Sequence, residues 1–220
     1  MFIRERYKDN PGGVDVEPPT EVHLCLGCEH EEFEKDLGNG RKAKGVRWNM
    51  KPFLEECVVK YKDLCHQMGA KADLQKVDTP FVDSAKLDPD VDEPNGVLGP
   101  VAASILMKVL YAARYARFDL LKAIASLASR ISKWTRLCDK QLHRLMSYVD
   151  CSKDLLMEGY IGDKAEDLRL HVYADADFAS DLITRKSTSG MFMALVGPNS
   201  FFPLAGQSKK QNAVSHSTPE

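Results

Sequence analysis

The segment Tyr173–Asp181, YADADFASD, sets three carboxylates into nine residues. The run before it alternates. Leu168, Leu170, Val172 and Ala174 share one face of a predicted strand, and Arg169, His171, Tyr173 and Asp175 share the other. Asp175 leaves the polar face at the strand's C-terminal end, with Asp177 on the same side. Anionic oxygens on a rigid strand end suit a hard divalent cation such as Mg²⁺. Phosphodiester hydrolysis by two metal ions ~3.5–4 Å apart needs more: three or four carboxylates from different elements. Alone, the pair reads as solvated turn residues.

A second cluster could hold a softer ion. HLCLGCEH places His23, Cys25, Cys28 and His30 together, and Cys25-x-x-Cys28 has zinc-ligand spacing. A zinc-binding interaction module would need a second pair, and Cys57 and Cys65-His66 lack that pairing. The same stretch alternates as one strand, with Leu24, Leu26 and Cys28 opposite His23, Cys25 and Gly27. Cysteines acting as small apolar side chains are the competing reading. Redox chemistry is disfavoured, because no helix start follows to lower a thiol pKa.

The elements that position these residues fall into two β-rich stretches around a helical one. EVHLCLGCEH and GVRWNM predict two short strands joined through the turn-rich DLGNGRKAKG. PFLEECVVKYKDLCHQMG predicts a helix with Pro52 in its first turn, Phe53, Cys57 and Leu64 near one face, and Gly69 closing it. Residues 99–150 read as three helices broken near Phe118-Asp119 and Trp134-Thr135, with Asp119 and Thr135 as N-caps. SGMFMALVG and SFFPLAG predict two further strands around a Gly197–Asn199 turn, and Pro203 implies an edge position or a bulge.

YADADFASDLITRKSTSGMFMALVG followed by QSKKQNAVSHSTPE resembles the RNase H region of copia-type retrotransposon Pol polyproteins. Four signatures occur in order: the Tyr-x-Asp-Ala-Asp strand end, the Arg-Lys-Ser-Thr-Ser-Gly turn, Ser-Lys-Lys-Gln and a Ser-Thr-x-Glu helix start. Upstream, VDTPFVDSAKL is similar to the family's Thr-Pro linker, residues 105–155 to its helical region, and HLCLGCEHEE to its Phe-Leu-Gly primer-grip strand. The resemblance covers roughly residues 21–220. Phe178 departs from a common tryptophan, and Phe202-Pro203-Leu204 from a Ser-Trp strand.

The resemblance implies an α+β fold: a β-hairpin and helical thumb/connection region followed by a truncated RNase H-like mixed β-sheet. Residues 1–20 would be a disordered tail. Residues 21–97 would hold the end of the palm, the primer-grip-like hairpin, a thumb helix and an acidic linker. Residues 98–152 would be the helical thumb/connection region, and 165–220 the N-terminal half of the RNase H-like domain. Asp175 matches the first catalytic metal-binding aspartate and Asp177 the second acid of that motif. Glu220 matches the first glutamate of the helix start. Leu26, Gly27, Arg185, Lys186, Ser187, Lys209 and Lys210 fall at nucleic-acid-binding positions. The implied parent is an RNA-directed DNA polymerase with Mg²⁺-dependent RNase H activity. Its partners would be an RNA–DNA hybrid and the remainder of the Pol polyprotein. One carboxylate of four and no polymerase acids imply that this piece is inactive alone. A non-catalytic nucleic-acid-binding remnant of a transposable element is the alternative.

A net charge of −2 gives no bulk drive toward polyanions, yet it hides asymmetry. Residues 101–150 carry nine Lys/Arg against three Asp/Glu, while 71–100 carry three against seven. The basic helices read either as a solvated face or as a surface along a phosphate backbone. Trp48 and Trp134 could stack on bases, although a core role is the simpler expectation. No run approaches the ~20 apolar residues of a membrane span, and the charged N-terminus has no signal-peptide core. An intracellular location, cytoplasmic with the nucleus as a second possibility, with six reduced thiols is expected.

Overall fold

A computed structural model describes residues 24–25, 27–38, 40–81, 96–177 and 186–211. The expected tail, His23, Leu26, the acidic linker after Phe81, Arg185 and Glu220 lie outside the described residues.

Among the described residues, seven strands form one sheet: β1 (Leu24–Cys25), β2 (Cys28–Gly38), β3 (Arg41–Asn49), β4 (Met157–Ile161), β5 (Arg169–Asp177), β6 (Thr188–Gly197) and β7 (Ser200–Lys210). Their order is β1-β2-β3-β4-β7-β6-β5. Every pairing is antiparallel, which corrects the expected mixed sheet. Short turns join β2 to β3 and β6 to β7, and a hairpin can only pair its strands antiparallel. A separate hairpin and sheet are not what forms either. β4 pairs with β3 on one side and, through Tyr160 opposite Phe201, with β7 on the other. Gly159 permits this splice, since a Cβ there would stand 2.8 Å from the Phe202 ring.

The stretch around Cys25 is not one strand. Leu24 pairs with Glu29 and Cys25 with Cys28, so the chain reverses between Cys25 and Cys28, with Gly27 at φ 79°. β2 and β3 run further toward their turn than the sequence suggested, and Asp36 Oδ1 accepts the Gly38 N–H at 2.8 Å. Pro203 sits in a central strand, not at an edge. The register slips between Met193 and Ala194, so Leu204 is the extra residue of a bulge beside the missing proline N–H.

Among the described residues, four α-helices build the core: α1 (Lys51–Gln67), α2 (Gly99–Tyr115), α3 (Leu121–Ala128) and α4 (Arg136–Ser152). Leu54, Tyr61, Ile105, Leu106, Val109, Ile124, Leu142, Leu145 and Met146 are fully enclosed there. Pro52 lies in the first turn of α1 as expected. Gly69, at φ 68°, closes it: Gly69 N–H donates to His66 O and Ala70 N–H to Cys65 O. Thr135 caps α4 by accepting the Cys138 N–H. Asp119 is not a cap; it lies in a 3₁₀ turn and its carboxylate grips Arg117. The start of α2 is instead served from α4, where Asp139 accepts the amides of Val97 and Leu98 and the Trp134 indole N–H. Trp134 is thus a core residue, and Trp48 packs edge-on to Phe202 at 5.3 Å.

Candidate functional site

The three motifs, separated by up to 35 residues in sequence, lie side by side at one end of the sheet. Asp175 is opposite Gly190, which is opposite Ser208. The next rows are Ala176–Ser189–Lys209 and Asp177–Thr188–Lys210. The hairpin turn at Pro198-Asn199 fixes this alignment. There Asp163 accepts Asn199 N, Asn199 Nδ2 and the Ser200 hydroxyl, while Ser200 Oγ accepts the amides of Gly162 and Asp163. The Asn199 side-chain amide, with help from Ser200, holds the Asp163 carboxyl below its ordinary range.

Asp175 is exposed, and its Oδ1 accepts the Ala176 N–H at 2.9 Å. Asp177 ends β5 and is described in its backbone alone. Gly190 leaves the ground beside Asp175 open, since even an added Cβ would stand 3.9 Å from the Asp175 carbonyl. Lys209 is exposed, and Lys186 and Lys210 are half-buried. Ser187 is 3% exposed, and its carbonyl accepts the Gln211 N–H, so it braces the approach to β6 from inside. Gln211 also donates through Nε2 to Ser189 Oγ. Among the described residues, no three His, Cys, Asp or Glu side chains gather closely enough to hold a metal.

The primer-grip and zinc readings meet the same local geometry. Gly27 approaches Phe53 of α1, so this turn is docked on the helical layer. Cys28 is fully buried, and burial pushes its thiol up to about 11. A zinc ligand must be a thiolate, which this burial opposes. His30 turns its Nε2 to the Tyr115 hydroxyl at 3.3 Å.

The basic helices are partly committed to the fold. Arg117 is buried, donating to both Asp119 oxygens, to Ser152 O and to Ser152 Oγ. Lys108 pairs with Glu56, Arg144 clasps Thr79, and Lys122 lies over the Phe81 ring. Arg114, Lys133 and Lys140 remain on the surface. Among the described residues, no helix is long and apolar enough to cross a membrane.

Compared with family models, curated proteins and solved structures, the chain matches none.

Proposed function

We propose that this chain belongs to a copia-type retrotransposon Pol protein, with β5, β6 and β7 as opening strands of an RNase H-like domain. The supporting observation is the register that brings Asp175, the Ser187–Gly190 segment and Lys209-Lys210 to one end of the sheet. That end carries a solvent-facing carboxylate, and the second row along on the same face brings Lys210, the pairing that a metal-bridged phosphate requires. Mg²⁺, when bound, would polarise the scissile phosphate. Asp175 fits as one oxygen ligand of such an ion. The lysines would hold the hybrid's backbone, and the open Gly190 ground would let it approach. Among the described residues no cluster of acids joins Asp175, so hybrid binding and not cleavage is the activity expected of them.

Fluorescence anisotropy with a labelled RNA–DNA hybrid, taken across a salt series, tests this reading. Affinity should fall log-linearly with salt, and Lys210→Ala, on the face of Asp175, should flatten the slope by about 1. Asp175→Asn should remove the Mg²⁺ enhancement of binding. Hybrid binding that is absent at low salt, or cleavage by the chain unaided, overturns it. Salt-dependent binding indifferent to Asp175→Asn would instead favour a non-catalytic remnant.

A further inference from the structure

Cys25-x-x-Cys28 takes on a different meaning once the chain is folded. The two cysteines are directly opposite each other, the closing pair of the turn between β1 and β2. Antiparallel partners have Cα atoms ~4.5–5.5 Å apart and side chains on one face of the ladder. A disulfide spans Cα separations of ~4.4–6.8 Å, so this register suits one with little backbone movement. Electrostatics give a second sign that the two sulfurs share a face. Burial lifts the Cys28 thiol to about 11, and Cys25 adds to that rise. Burial likewise raises the phenols of Tyr111 and Tyr115 on α2, and both cysteines add to each. The pair therefore sits together under the same two rings, with both thiols free.

We propose that Cys25 and Cys28 form a reversible thiol–disulfide site whose oxidant is a small-molecule disulfide. Cys28 is fully buried and Cys25 half-covered, so Cys25 reacts first. Its thiolate attacks one sulfur of the small disulfide and breaks that S–S bond. The expelled thiolate takes up the proton that Cys25 gave to water. Cys28 then attacks the Cys25 sulfur of the mixed disulfide. The Cys25–Cys28 bond forms, the mixed bond breaks, and a second small thiol leaves with the Cys28 proton. Two protein thiols are oxidised and one small disulfide is reduced to two thiols. Burial holds the Cys28 proton, so the second step is the slower one. A CxxC that oxidises other proteins needs a thiol of lowered pKa, which a helix start supplies. A pair that only follows the redox state around it needs proximity, and the register provides that. Closure would fasten β1, two residues long, to β2 by a covalent bond. Neither sulfur takes part in the nuclease reading, so the two stand or fall separately.

Oxidised glutathione is the probe, used on the full chain with Cys151→Ser so that the exposed Cys151 does not compete. Under native conditions the mass should fall by two hydrogens and the thiol count by two. Peptide mapping should join Cys25 to Cys28, and dithiothreitol should restore both thiols. Adding Cys25→Ser should leave the chain unmodified, since the reagent cannot reach Cys28. Adding Cys28→Ser instead should trap the first step, with one glutathione held on Cys25. Circular dichroism checks the fold of that buried variant; should it fail, closure in the parent chain and its loss with Cys25→Ser carry the test. A native chain that keeps all its thiols, or a bridge from either cysteine to another partner, would overturn the inference. So would a Cys25 adduct that never resolves, modification of Cys28 in the Cys25→Ser chain, or closure seen only in denaturant.

Discussion

Arg117 carries its charge inside the protein, 3% exposed, with an Asp119 carboxylate oxygen 2.8 Å away. It stands among the basic residues that could follow a phosphate backbone, yet it is buried with four hydrogen bonds. Removing one partner of a buried ion pair leaves an uncompensated charge. Asp119→Ala should therefore lower stability by about 2–4 kcal/mol in urea unfolding, at the low end because Asp119 is partly hydrated. Arg117→Met with Asp119→Ala should recover much of that loss. Asp163 offers a pH test. Its native pKa is depressed, so its contribution is full above the ordinary aspartate value of ~3.9 and is lost as pH falls through the lower native value. Acid titration of unfolding free energy should be flatter for Asp163→Asn in that window, and that variant should be the less stable one at neutral pH. At this scale the chemistry-bearing residue was legible and its neighbourhood was not. Asp175 is exposed near a strand end, but so is every described side chain of β5, including the alternate apolar face. Ser187 looked like a phosphate contact because burial in a loop leaves no periodic trace. Asp139 was missed as a cap because it serves a helix about 40 residues away.

At the scale of elements, the helices were the most readable, since apolar spacing, Pro52, Gly69 and Thr135 all agree with the final bounds. Thr135→Ala should cost about 1 kcal/mol of thermal or denaturant stability through the lost cap. The strands were found, but their connections were not. β4 is five residues with a central glycine, too short to show a period, and it lay unread between the helical and β-rich stretches. The uncovered face of β5 likewise follows from what neighbours it, not from its own alternation, which reads as an ordinary half-buried strand. Glycines carry the closest contacts between layers. A Cβ on Gly206 would lie 2.6 Å from Phe118 Cγ, near the stiff root of the ring. Gly206→Val should therefore destabilise by about 1–3 kcal/mol, while Gly190→Ala, with no close neighbour, should be near neutral in the same unfolding assay.

Taken whole, the molecule has a dense helical interior and a sheet whose far margin is lightly held. Hydrogen exchange at low protein concentration should show Leu106, Val109 and Leu145 among the slowest amides and the outward amides of β5 among the fastest. One last feature turns the fold into its own reporter. All six cysteines are unpaired, but only Cys151 is exposed, and Cys25 is half-covered. Burial lifts Cys57 to about 12, as it lifts Cys28, so these sulfurs hold their protons at neutral pH as well as hiding from solvent. An alkylating reagent meeting the native state should tag one sulfur promptly and four only when the interior opens. The number of adducts read by mass spectrometry then becomes a clock for breathing of the core, with no probe introduced by mutation.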